Sequence, residues 1–136
     1  MIRRARKGDE FVAFALPMAD ASGDPVRVVL DMVEAYNARD LDGTVAYFAD
    51  DAVFVSAEGA VTEKGKAAIR DVFDRVFSTN PQLHAEIPTT IRVGDWVMIH
   101  SIVEDWVHAN GTHGRMEWVE LYHVAAGKID RMQLFA

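Results

Sequence analysis

A carboxyl group does proton chemistry near neutral pH when its surroundings disfavour its charge. Two stretches of this chain, Trp96 to His108 and Arg115 to Val124, set carboxylates and hydroxyls among alternating apolar residues. Asn110-Gly111 between them is a strong signal for a two-residue hairpin turn. In that register Asp105 opposes Met116, Val103 opposes Trp118, Ser101 opposes Glu120 and Ile99 opposes Tyr122. Period-two alternation puts these four pairs on one face. A single bulge would shift the register. The face carries Asp105, Ser101 and Glu120 among apolar and aromatic neighbours, which is the composition of a ligand pocket. A carboxyl held there can stay protonated, donate a proton, or hydrogen-bond to a developing oxyanion. Glu120 is the expected principal acid/base. Asp105 either joins it or sits in water near the open end of the strand.

The opposite face carries His100 against Leu121, Met98 against His123, and Glu104 against Glu117. Like charges directly opposite one another are disfavoured unless exposed. That face therefore points to solvent or to an oligomer partner, and the Glu120 face points to whatever covers the sheet. The five histidines have no metal-ligand spacing. His108 and His113 fall across the hairpin from each other, but no third ligand accompanies them, so no metal site is expected. No phosphate-binding glycine loop, nucleophile elbow or dinucleotide fingerprint is present, and no cofactor is expected.

The elements that must position these groups can be read in order. Asp24-Pro25 is a helix start, followed by Val29, Met32, Val33 and Tyr36 at helical spacing. Asn37 and Asp40 end that helix, and Asp40 or Asp42 can cap a short second one through Phe48. Ala52 to Ser56 reads as a strand. Lys66 to Phe77 is a third helix, ended by Asn80-Pro81. Leu83 to Val93 is a strand whose Pro88 demands an edge position or a bulge. Trp96 to His108, Arg115 to Val124 and Ile129 to Phe135 complete a meander. Helices followed by antiparallel strands predict an α+β domain with helices on one sheet face. The strands are apolar on both faces, so the uncovered face calls for a partner. A second copy of the chain is the simplest one.

One domain is expected from 136 residues, over 24–136, with residues 1–23 as an extension. Arg3, Arg4, Arg6 and Lys7 precede an apolar run from Phe11 to Ala19, a faint echo of a secretory signal. Asp9, Glu10 and Pro17 interrupt it, so the segment reads as a capping extension, and a cytoplasmic location is expected. The absence of cysteine excludes thiolate chemistry and disulfides. A net charge of -7 argues against a nucleic-acid partner. No apolar run approaches the roughly 20 residues of a membrane helix.

The run Tyr-Asn-Ala-Arg-Asp-Leu-Asp-Gly-Thr-Val-Ala-Tyr-Phe-Ala-Asp-Asp, Tyr36 to Asp51, resembles the opening of the cone-shaped NTF2-like superfamily. That superfamily includes SnoaL-like polyketide cyclases, ketosteroid isomerases and limonene-epoxide hydrolases. Glu120-Leu121-Tyr122-His123-Val124-Ala125-Ala126-Gly127-Lys128-Ile129 is similar, without a gap, to the SnoaL-like Asp-Ile-Tyr-Arg-Ile-x-Asp-Gly-Lys-Ile. Glu120 falls on that family's acid/base aspartate. Gly111-Thr112-His113-Gly114 also echoes a SnoaL-like stretch. Alignment with ketosteroid isomerase places Met32 at the oxyanion tyrosine, Ser56 at the base aspartate and Phe73 at a supporting tyrosine. Methionine cannot donate and serine is a poor base, so steroid isomerisation is not expected. Of the epoxide hydrolases' Asp-Arg-Asp only Asp105 survives, with Val103 on the Arg and Gln133 on the second Asp.

The resemblance implies an NTF2-like cone, with three helices on a curved, mainly antiparallel sheet, and a homodimer through the outer sheet face. It implies a hydrophobic small molecule in the cavity and cofactor-free isomerase, cyclase or lyase chemistry. The catalytic candidates are Glu120, Asp105 and Tyr36. The substrate-binding candidates are Met32, Ser56, Phe73, Ser101, Val103, Trp118, Tyr122, Met132 and Leu134. The alternatives are a non-catalytic binding protein and an epoxide-hydrolase-like hydrolase.

Overall fold

The computed structural model describes residues 23–136. The basic and apolar segment near the start, and all but the last residue of the expected 1–23 extension, lie outside the described residues. Helix α1 (Pro25–Asn37) begins where the Asp24 carboxylate accepts a hydrogen bond from the Val26 N–H at 3.0 Å, with proline at the first helical position. Val28, Val29, Met32 and Val33 form its buried stripe. Arg39, at φ 55°, stops the helix in the left-handed region. Asp40 then caps helix α2 (Leu41–Val45) by accepting from the Gly43 N–H at 2.9 Å. A Cβ on Gly43 would lie 2.2 Å from the Asp40 carboxylate, so a larger residue there would make that side chain shift. The same turn reaches across the molecule. Asn37 donates to the Ala85 carbonyl at 3.0 Å and accepts from its N–H at 2.8 Å, while the Arg39 guanidinium donates to the Leu83 carbonyl.

Strand β1 (Phe48–Val55) turns into β2 (Val61–Lys64), and helix α3 (Lys66–Thr79) follows. Strands β3 (Glu86–Val93), β4 (Trp96–Val107), β5 (His113–Ala125) and β6 (Lys128–Phe135) complete one six-stranded sheet. Its order is β2-β1-β6-β5-β4-β3, with β1 and β6 the single parallel pair. The α+β cone with helices against a curved sheet is therefore the fold. Two boundaries differ from expectation. Helix α2 ends at Val45, and β1 starts at Phe48 because the chain pairs there with Ile129 of β6. Strand β2 was not read from the sequence, since it is only four residues long. Pro88 sits on edge strand β3, inside a register break between Glu86 and Thr89.

The β4–β5 hairpin corrects the expected register. Its connection is the three-residue loop 109–111, closed by the His108 N–H to the Thr112 carbonyl at 2.8 Å, with Gly111 at φ 86°. A second one-residue shift falls between Val103 and Trp106, where Glu104 and Asp105 face the single residue Arg115. Glu120 consequently pairs with Ile99 and Ser101 with Trp118. Glu104 does not oppose Glu117. Two one-residue shifts add up to an even number, so beyond the bulge every side chain stays on its expected face. Between bulge and loop the faces of β4 alone are exchanged.

Register shifts interrupt all five strand pairings, and shifts of this kind bend a sheet. The concave side holds the main core, built on Val29, Phe48, Ile69, Ile99 and Ile129, all 1% exposed or less. A smaller cluster of Leu83, Ala85 and Val103 lies beside Trp106 and Trp118. Among the described residues no helix is long and apolar enough to cross a membrane.

Candidate functional site

Between α1, α3 and the concave sheet lies a cavity of about 480 Å³, within the usual range for small-molecule sites. Phe54, Val72, Phe73, Val76, Trp106 and Met116 make most of its wall apolar, and Met132 and Leu134 of β6 join them. A recess of about 30 Å³, bordered by Met32, Val33, Ala85, Ile87 and Ser101, adjoins its deep end. Tyr36, Phe73, Trp118, Glu120 and Tyr122 line both spaces, so they mark the junction.

Glu120 stands at that junction because it lies mid-strand on the inward face of β5, flanked by Ile99 of β4 and Leu134 of β6. The Ser101 hydroxyl donates to Glu120 Oε1 at 3.1 Å. Burial pushes the Glu120 carboxyl above its ordinary value of 4.5, and the Trp118, Ser101 and Tyr122 donors pull part of that back. Burial also raises the Tyr36 and Tyr122 phenols, and the nearby Glu120 charge raises both further. Both phenols thus stay protonated across the physiological range. The Tyr36 ring is held edge-on by Phe73, with centroids 5.9 Å apart, and by Phe77 at 5.4 Å. The result is a half-buried carboxyl among hydroxyl and N–H donors, at the polar end of an apolar chamber.

Ser56 lines the chamber near its rim, where its Oγ accepts from the Ala60 N–H at 3.2 Å. Two expected site residues are placed elsewhere. Asp105 lies outside the cavity: the bulge turns it outward, its side chain is 70% exposed, and its carboxylate meets His113 Nδ1 at 3.0 Å. Val103 is buried behind the wall, against Leu83 and Ala85. Trp106 takes the inward position instead of Asp105, and no sequence signal marked that exchange. Thr62 and Glu63 of the unforeseen β2 also line the chamber. Val72 and Val76 of α3 line it too, four residues apart on one helical face. Glu58 is exposed. Among the described residues no group of three or more His, Cys, Asp or Glu side chains is arranged to hold a metal ion.

A sequence profile of the SnoaL-like domain matches residues 29–132. An uncharacterized cystatin fold protein from Novosphingobium aromaticivorans superposes with a TM-score of 0.74 at 28% identity, covering 82% of this chain and 97% of that one. An epoxide hydrolase/cyclase-like enzyme of pyran ring formation in the polyether salinomycin superposes at 0.72 with 20% identity, over 85% and 92% of the two chains. A protein with a ketosteroid isomerase-like fold from Catenulispora acidiphila, in complex with trimethylamine, gives 0.67 at 21% identity, over 80% and 84%. At 20% and 21% identity the last two bear on the fold alone.

Proposed function

Because the chain belongs to the SnoaL-like domain family, we propose that it is an enzyme that moves a proton on a hydrophobic small molecule, with Glu120 as the acid/base. The observation that carries this reading is a half-buried carboxyl, raised above its ordinary value by desolvation, at the donor-rich end of an apolar cavity. Raising the pKa brings the group closer to the operating pH, where general acid and base catalysis is most effective. Ionised, Glu120 takes a proton from an activated carbon. The Ser101 hydroxyl, which donates to Oε1, holds the carboxyl in place. Tyr36 donates a hydrogen bond to the oxygen on which charge develops. Protonated, Glu120 then returns the proton at a second position. Isomerisation, cyclisation and elimination share this step.

A cyclic ketone with exchangeable α-protons, 2-tetralone, tests the proton transfer in heavy water by proton NMR. The wild-type protein accelerates exchange above the buffer rate, and Glu120→Gln removes the acceleration while binding persists. Equal rates for the two proteins would refute the assignment. Incorporation of labelled oxygen from water into the product of an epoxide substrate would instead support a hydrolase. The outer sheet face is assigned to a second copy of the chain. Its edge presents Val93 at 71% and Ile91 at 51% exposure, apolar side chains that a partner would cover.

A further inference from the structure

Two carboxylates line the chamber, Glu120 at its deep end and Glu63 of β2. Glu63 opposes Phe54 in the β1–β2 pairing, and directly opposed residues share a face. Phe54 is 5% exposed and lines the chamber, so β2 turns Glu63 toward the same space. Glu63 does not border the deep recess and is partly exposed, which sets it at the mouth. The Thr62 hydroxyl donates to Glu63 Oε1 at 2.8 Å and steadies it there. Among the described residues no Lys, Arg or His lines the chamber or the recess. Neither carboxylate joins a salt bridge among those residues. Between the two lie the rings of Tyr36, Phe54, Phe73, Trp106, Trp118 and Tyr122. Carboxylates among aromatic rings are the groups that hold an organic ammonium, the first by charge and the second by the negative ring face. An anion would meet like charge without a counter-cation, and an unpaired charge is costly in an apolar site.

We infer that the chamber selects an apolar molecule carrying a cationic amine, and that Glu63 at the mouth is the specificity residue that takes the ammonium. This rests on the reading of the cavity as a substrate site and names the substrate class. The apolar body lies among the rings, the reacting end reaches Glu120, and the ammonium trails at Glu63. Carboxylate-bearing molecules of the same size are selected against. A neutral ketone such as 2-tetralone fills only the apolar part, so it reports on Glu120 and is silent on Glu63.

Three probes on one ring system, 2-(aminomethyl)naphthalene, 2-(hydroxymethyl)naphthalene and 2-naphthoate, test this by equilibrium dialysis near neutral pH. The wild-type protein holds the amine most tightly and the naphthoate least. Glu63→Gln reduces the preference for the amine over the alcohol about 3- to 10-fold, the strength of one charge-assisted contact at a partly exposed site. Glu63→Lys inverts the order of amine and naphthoate. In the wild type, added sodium chloride weakens the amine preference by screening, a measurement that needs no folded variant. A wild type that holds none of the three, or holds the alcohol or naphthoate as tightly as the amine, overturns the inference. So does a preference that salt or Glu63→Gln leaves unchanged. An amine preference that Glu63→Gln reduces, beside 2-tetralone exchange that Glu120→Gln leaves intact, would sink the catalytic reading and leave this one standing. Exchange that depends on Glu120, beside no amine preference, does the reverse.

Discussion

The proposed chemistry turns on the protonation of one residue. Glu120 has its folded-state pKa raised by burial above the ordinary 4.5. For such a group the contribution to stability is fully present below the unfolded-state value and is lost as pH rises through the folded-state value. Glu120→Gln removes the ionisable group while nearly keeping its shape. The variant should therefore match the wild type near pH 4 and melt at a higher temperature than it at pH 8. Thermal denaturation across that range checks the sign, and a wild type that gains on the variant with rising pH contradicts it. Ser101 was legible as the neighbour of this carboxyl, although through the wrong pairing. It reaches Glu120 from the adjacent strand while opposing Trp118. Glu63 was not legible as a second carboxylate of the chamber, because the strand that carries it is only four residues long.

At the scale of elements, the helices and long strands followed from periodicity, caps and turn residues. Asp24-Pro25 starts α1, Asn80 ends α3, and Pro88 falls at a break on an edge strand. What sequence pattern could not supply was the count of residues in each irregularity. The hairpin loop has three residues instead of two, and one bulge offsets β4 against β5. The offsets sum to two, so Glu120, Ser101, Trp118 and Tyr122 kept their faces while Asp105 and Trp106 traded theirs. Long-range anchors were equally invisible. The Asn37 side chain fixes Ala85 by two hydrogen bonds across 48 positions of sequence, and Ala85 borders the recess. Asn37→Ala leaves the Ala85 N–H and carbonyl without those partners and should cost about 1–3 kcal/mol for buried groups left unsatisfied. Urea denaturation measures it.

For the molecule as a whole, the two sides of the sheet differ in kind. The concave side is closed over by helices and holds the acid. The outer side bears Met98, Val119 and Leu121 together with the His100–Glu117 and His123–Asp130 pairs, at 2.5 Å and 2.7 Å. A second copy on this side would exclude water from the apolar strip. Leu121→Arg, whose side chain points away from Glu120, should convert such a dimer to a monomer in sedimentation analysis while 2-tetralone exchange persists per chain. The bulge has a further consequence at this scale. Two residues of β4 there face Arg115 alone, whereas the ladder holding Glu120 lies on the other side of it, pinned between two neighbouring strands. A single codon gained beside Arg115 would even the count, swing Trp106 outward and bring Asp105 into the chamber. A descendant could thereby acquire a second interior acid in one step, trading an indole wall for a carboxylate without disturbing the first.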